Sequence, residues 1–334
     1  MTFHCAWQSP YYTDSERAAV ADKLADARLT CVRIDADWSA IEDTRKGAQE
    51  PGYLGGLDRC VELSKQRGFS VLVNLSRTPA WANGGNGGAA PPRSAADFGD
   101  IARFLAARYR GRVSAWELWN EENNTTFWRG SVAQCVSLLK AGYQGVKAGD
   151  SAATVVLGGL MYNDDAWLRQ IYAAGGRGAF DAVATHPYQG VADTAPEQPD
   201  KGTRESLTHL PAVRAVMVGN GDADKPIWLT EFGWSAHDNG LQPPNWARGV
   251  SESVQADYAV RALRYAAANW PYVSVLFWYK ERAWNNPTAD PIWLGIHLEG
   301  YGLLRANRSG RPIYTALQGS WLSAEVTAAP RVRR

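Results

Sequence analysis

The chain has 334 residues, 45% hydrophobic and 21% charged, with a formal net charge of +1. That is ordinary globular composition, and it excludes a charge-driven nucleic-acid or membrane-surface partner. No run reaches the ~20 apolar residues of a membrane helix, and the length suits one closed α/β barrel, for which about 250 residues is typical before insertions.

Apolar runs alternate with amphipathic helices from end to end. The first strand is predicted at Phe3–Trp7. The Thr13–Glu16 capping box then opens a helix with Val20, Leu24 and Ala27 on one face. A second strand follows at Thr30–Asp35, and Gly68 stops the next helix ahead of a third strand at Ser70–Asn74. Ser94–Asp97 opens a helix carrying Phe98, Ile101 and Leu105, and Gly111 precedes a fourth strand at Val113–Trp119. Ser131–Gln134 opens the helix of Val136, Leu139 and Tyr143, stopped by Gly149 before a fifth strand at Thr154–Leu157. Strands at Ala182–Thr185, Pro226–Thr230 and Tyr272–Trp278 complete the set. Pro211, Ser251 and Pro312 mark the helix starts around them.

Runs such as Val71-Leu72-Val73 and Val155-Val156-Leu157 suit parallel strands buried on both faces. Eight strand–helix repeats predict an α/β fold of the (β/α)8, TIM-barrel type: one domain over residues 1–320, then a tail over 321–334. Arg331, Arg333 and Arg334 read as part of that solvated tail. A doubly wound open sheet is the runner-up, but no GxGxxG or Walker loop follows the first strand.

Cys5, Cys31, Cys60 and Cys135 form no CxxC and have no His at zinc-ligand spacing, so they read as small buried residues, with a Cys5–Cys31 disulfide left open. The first strand-like run starts almost at Met1. Either there is no leader, or an export signal has been removed; the second case favours an extracellular or envelope location, the first a cytoplasmic one.

The helix-to-strand turns are short, whereas the strand-to-helix loops Pro187–Thr203, Phe232–Val250 and Lys280–Gly310 are long. In a barrel that asymmetry marks the C-terminal face, where active sites lie. Among the acids, those ending a buried strand matter most. Glu121 follows Trp116–Asn120 at the end of the fourth predicted strand, and Glu231 follows Ile227–Thr230 at the end of the seventh. Their tips face each other across the mouth of a ring of eight, where two carboxyls can flank one glycosidic bond.

Trp119-Asn120-Glu121 and Thr230-Glu231-Phe232-Gly233-Trp234 resemble the acid/base and nucleophile motifs of the clan A glycoside hydrolases, closest to the bacterial family 39-like and family 5-like enzymes. Arg33-Ile34-Asp35, Thr78–Ala82, His186-Pro187-Tyr188 and Phe277-Trp278 extend the likeness over about Phe3 to Leu317. The resemblance implies a retaining mechanism on a β-glycosidic bond, with Glu231 as nucleophile and Glu121 as acid/base. It implies roles in substrate binding for Asn120 at the sugar 2-hydroxyl, Tyr188 and Arg33 on the nucleophile, His186 in the cleft wall and Trp278 as the floor. No metal or organic cofactor is implied. Glu122 stands where the clan usually has Pro, and strand alternation turns it away from Glu121.

Strand parity puts Glu117 inside the barrel as a partner for Arg33 or Lys280, because buried charges are normally paired. Asp35 and Trp38 end the second strand and are candidates for lining the cleft. Trp81, Trp128, Trp234 and Trp284 lie in strand-to-helix loops and are candidate sugar platforms, whereas Trp116 and Trp228, within strands, read as core. Platforms on both sides of the mouth predict endo cleavage of a polysaccharide by a monomeric enzyme whose partner is a carbohydrate. The alternatives are a transglycosylase using the same residues and a non-catalytic sugar-binding relative.

Overall fold

The computed structural model describes residues 1–7, 12–284 and 290–323. Among the described residues seven parallel strands run in sequence order: β1 (Cys31–Asp37), β2 (Ser70–Ser76), β3 (Ala115–Asn120), β4 (Thr154–Met161), β5 (Ala182–His186), β6 (Ile227–Phe232) and β7 (Val273–Trp278). Every strand pairs in parallel with its successor, so every crossover must carry a helix across the sheet. The result is a curled parallel sheet jacketed by helices, consistent with the (β/α)8 architecture. No helix among the described residues is long and apolar enough to cross a membrane.

The expected first strand is shorter than predicted. Arg33 N–H donates to the Met1 carbonyl at 2.9 Å and Phe3 N–H to the Arg33 carbonyl at 2.8 Å, while Thr2 N–H donates to the Trp278 carbonyl at 2.9 Å. Residues 1–3 therefore bond to both edges of the sheet, with Thr2 as a single bridging residue. The chain then turns, Trp7 N–H donating to the His4 carbonyl at 3.0 Å, and leaves the ladder. Below Met1 a cavity of about 430 Å³ separates Thr30 and Cys31 from Ser274–Leu276.

Helix starts follow the sequence signals with one exception. Thr13 and Ser131 form reciprocal capping boxes, and the Ser251 hydroxyl accepts from Val254 N–H at 3.2 Å, but the Ser94 side chain makes no cap bond. Gly68 and Gly111 follow their helices with φ of +77° and +70°. Gly149 does not stop its helix from outside but is its last residue. It is small because a Cβ there would sit 2.5 Å from the Arg103 carbonyl of the neighbouring helix. The final helix runs Pro312–Ser323, three residues into the predicted tail, and residues 324–334 lie outside those described. Cys5 pairs with Cys60 across a Cα–Cα distance of 5.8 Å rather than with Cys31, which is free, as is Cys135.

The interior is layered. Its lower layer is apolar: Leu72, Ala115, Val156, Ala182, Ala184 and Phe277, with Cys31, Trp228 and Val275 against them. One pleat period higher, strand alternation brings Arg33, Asn74, Glu117 and His186 onto the same inner face. An apolar floor thus carries a polar, charged storey directly beneath the mouth.

Candidate active site

Arg33 organises that storey. It is 1% exposed, and its guanidinium is fully engaged. Nε donates to Glu117 Oε2 at 2.5 Å, Nη1 to Glu231 Oε1 at 2.9 Å and to Asp35 Oδ1 at 3.3 Å, and Nη2 to Asn120 Oδ1 at 2.9 Å. Burial opposes its charge, but Glu117, Glu231 and Asp35 outweigh burial and raise its pKa. Asn74 Nδ2 shares Glu117 Oε2 at 3.2 Å and also donates to the Trp119 carbonyl. Glu117 is therefore the partner of Arg33, not of Lys280, which lies 3.4 Å from Glu299.

Simple alternation would not bring both Glu121 and Glu231 to the mouth. At the end of β3 the backbone departs from extended geometry: Trp119 has φ +78° and Glu121 φ +49°. Ladder pairing resumes at Asn120–Gly159, and Glu121 N–H donates to the Gly159 carbonyl at 2.9 Å. In β6 the register slips between Leu229 and Phe232, which frees Glu231 to turn inward beside Thr230. Glu122 turns the other way, behind the sheet. It is 3% exposed and packs so closely on Gly158 that a Cβ there would lie 2.3 Å from its Oε1. Burial, reinforced by the charges of Glu117 and Glu121, pushes its pKa up to about 8.

The two mouth carboxylates have different company. Glu231 is held by Arg33 on Oε1 and by the Tyr188 hydroxyl on Oε2 at 3.1 Å. Burial raises its pKa and Glu121 adds to the rise, while His186 and Arg33 pull against it; the net shift is upward. Glu121 Oε1 lies 2.8 Å from His186 Nδ1, and the other ring nitrogen is 3.1 Å from the Thr230 hydroxyl. Burial would keep His186 neutral, but Glu231 and Glu121 together raise its pKa. Donor atoms of Glu121, His186 and Glu231 all lie within 4.8 Å of one another. Three such donors are a possible cation nest, yet a cation there would meet the Arg33 charge 2.9 Å from Glu231.

A cavity of about 350 Å³ opens over this group, bordered by Asp35, Asn120, Glu121, Glu231, His4 and Tyr279. Trp7, Asp37, Tyr53, Arg77 and Phe127 also line it and were not among the predicted residues. Asp37 and Tyr279 were findable by alternation, since each continues an inward row, Arg33–Asp35 and Val275–Phe277 respectively. The same parity corrects Trp278. It faces outward from the sheet, 5% exposed, with its ring near Phe232 and Trp234 and its N–H on the Tyr301 carbonyl at 2.9 Å. Tyr279 lines the cavity in its place.

Several predicted aromatic contacts are packing. Trp38 is fully buried, donating to Glu42 Oε2 at 2.9 Å. Trp81 packs edge-on against it and donates to the Glu42 carbonyl at 2.7 Å. Trp128 lies 5.0 Å from Trp119, and Trp234 is buried against Tyr258. Trp284, half-buried, stacks at 4.9 Å on Trp7, next to the cavity. Trp116 is core, and Trp228 is half-buried against the lower interior layer.

Residues 1–283 match the family model "Cellulase (glycosyl hydrolase family 5)". No curated protein matches. A family 39 glycoside hydrolase from Bacteroides cellulosilyticus WH2 superposes with TM-score 0.74 at 22% identity, covering 96% of this chain and 62% of its own. A glucosidase from Croceicoccus marinus gives 0.67 at 14%, covering 90% and 62%. A family 5 subfamily 18 protein from Streptomyces cattleya, solved with Manβ1-4GlcNAc, gives 0.72 at 18%, covering 95% and 77%. The chain thus spans about three-fifths of the first two proteins. At these identities the likeness concerns the fold.

The Arg33–Glu117 pair yields a stability prediction. Glu117→Gln leaves the guanidinium short of one buried counter-charge and should cost about 3 kcal/mol. Urea denaturation measures this; an unchanged midpoint would mean that Glu117 is not the electrostatic partner of Arg33.

Proposed function

This chain belongs to glycosyl hydrolase family 5, and on that footing we propose that it is a retaining hydrolase of β-glycosidic bonds. The observation that carries the reading is the spacing of Glu121 and Glu231, whose oxygens come within 4.8 Å at one cavity. Retaining glycosidases hold their two carboxyls about 5–5.5 Å apart; inverting ones need room for a water between them.

Glu231 attacks the anomeric carbon while Glu121 gives its proton to the departing oxygen. That breaks the glycosidic bond and leaves a glycosyl ester on Glu231. Glu121, now ionised, takes a proton from water, and the resulting hydroxide displaces Glu231 and frees the sugar. Arg33 and Tyr188 fix the attacking carboxylate. Asn120 spends its carbonyl oxygen on Arg33, leaving its amide N–H groups for the sugar 2-hydroxyl. His186 orients Glu121, and Tyr279, rather than Trp278, forms the floor.

The same reading takes residues 1–3 as a shortened eighth stave of a (β/α)8 barrel, one catalytic domain that includes the helix ending at Ser323. For the mode of attack we propose endo cleavage. The buried tryptophans give it no support; a second cavity of about 600 Å³ among the loops that follow β4, β5 and β6, lined in part by Tyr162 and Trp246, supports it. On a soluble β-glucan or β-mannan, viscosity should collapse while few reducing ends have formed. Steady release of mono- or disaccharide at nearly constant viscosity would show attack from chain ends.

Two further outcomes test the roles. An activated phenolate leaves without a proton, so Glu121→Ala should lose far more rate on unactivated glycosides than on aryl ones, by about 10² or more. Azide should restore turnover and give the β-glycosyl azide; equal losses and no azide effect would assign Glu121 another task. Glu231 must be ionised to attack, and its folded pKa lies above the ordinary 4.5. Activity is therefore present above that raised value and lost as pH falls through it. The acid limb of kcat/KM should lie above pH 4.5, and a limb at or below that value would contradict the assignment.

A further inference from the structure

The chain has five histidines, and three of them hold Nδ1 2.8 Å from a carboxylate: His4 on Glu281, His186 on Glu121 and His209 on Asp200. The other two, His237 and His297, face each other instead. His237 lies in the loop that follows β6, and His297 in the helix Ile292–Gly300, within the loop that follows β7. Their ring centres are 5.7 Å apart and their planes are nearly perpendicular, at 85°. His297 is 4% exposed, and His237 is half-buried.

Each ring has one nitrogen anchored by a hydroxyl and one left over. His237 Nδ1 lies 2.9 Å from Ser235 Oγ. The Ser235 hydroxyl donates its single proton to the His297 carbonyl at 2.6 Å, so towards the ring its oxygen can only accept. His237 therefore carries its proton on Nδ1 and a bare lone pair on Nε2. Gly249 keeps that ring in place, since even a Cβ at Gly249 would lie 2.5 Å from His237 Nδ1. His297 Nε2 lies 3.3 Å from the Tyr301 hydroxyl, which leaves Nδ1. The two leftover nitrogens, His237 Nε2 and His297 Nδ1, are closed off from solvent and have no well-formed hydrogen bond among the described residues. Burial lowers the pKa of both rings, that of His297 to about 3, while the Ala247 carbonyl, which lies beside both, pulls the other way. A lone pair and a carbonyl oxygen brought together repel, and a cation placed between them turns that repulsion into ligation.

The dimensions suit such a cation. Two imidazoles that share a zinc ion at about 2.0–2.1 Å hold their ring centres roughly 5–6 Å apart. A ligating histidine ordinarily has its other nitrogen fixed by an oxygen, as Ser235 and Tyr301 do here. Imidazole donors with no carboxylate among them select zinc, copper or nickel over calcium or magnesium. We propose that His237 Nε2 and His297 Nδ1, with the Ala247 carbonyl, bind a divalent transition cation of the zinc class that clips the loop after β6 to the helix Ile292–Gly300. The clip also braces Trp246, whose ring packs edge-on against His297 at 5.7 Å. The site stands apart from the carboxylate pair and does not depend on the glycosidase reading.

The test uses the full chain, untagged, stripped with a chelator and titrated calorimetrically with zinc chloride, with magnesium and calcium chlorides as controls. One equivalent of zinc should bind and raise Tm, and neither control cation should do so. His237→Gln and His297→Ala should each abolish that equivalent, and Ser235→Ala should weaken it about tenfold or more. Glu231→Gln should retain it, which separates this site from the catalytic carboxylates. X-ray absorption at the zinc edge needs no variant, so it serves if the histidine variants fold poorly; it should show two imidazoles at about 2.0 Å. No zinc binding, an equal response to magnesium or calcium, or a zinc ion with fewer than two imidazoles overturns the assignment. So does an equivalent that survives loss of either histidine or disappears with Glu231→Gln.

Discussion

A guanidinium buried inside a sheet has to be neutralised in place, and the arrangement of this mouth follows from how Arg33 is neutralised. Its five N–H groups point in fixed directions, so its partners have fixed positions. Glu117 takes the lower position, Glu231 and Asp35 the upper ones, and Asn120 the side. An ionised carboxylate left unpaired there would cost several kcal/mol. Glu231 and Asn120 are thus held in one geometry before any ligand arrives, which is the preorganisation that a displacement at carbon needs.

The same charge distinguishes the two carboxylates. Glu231 faces Arg33 and the Tyr188 hydroxyl, while Glu121 faces His186, whose other nitrogen is tied to Thr230. One acid lies beside a permanent cation and the other beside a group that can exchange a proton, and a double displacement requires that kind of inequality. The backbone bears the cost of bringing them together. Trp119, Glu121, Tyr162 and Arg77 all have positive φ, and all lie at strand ends around the mouth. Such strain persists where packing and hydrogen bonds over-determine it, and functional sites are where it collects.

Most strands were legible because a parallel strand buried on both faces writes itself as a short apolar run; β2 and β3 coincide closely with Ser70–Asn74 and Val113–Trp119. The first predicted strand was not, since an apolar run such as Phe3–Trp7 does not reveal that only residues 1–3 reach the ladder. Glu121 and Glu231 were legible as acids that end such runs. Their inward turn depends on a left-handed residue and a register slip that carry no periodic signal. Alternation alone would have chosen Tyr279 over Trp278. Trp128 and Trp234 were misjudged for a different reason: exposure in a loop is set by what folds over it, so these two are packed while Trp246, which sequence reading passed over, stands open. Cysteine spacing likewise cannot tell that Cys5 meets Cys60.

The account stands on Glu231 as the atom source of a covalent bond to sugar, held for attack by Arg33. A 2-fluoro β-glycoside with a good leaving group slows release of that intermediate and leaves it on the enzyme. Incubation followed by proteolysis and mass spectrometry should find the fluoroglycosyl mass on the peptide carrying Glu231, with fragmentation placing it on that residue. The label on Glu121 or elsewhere, or turnover with no covalent species trapped, would contradict it.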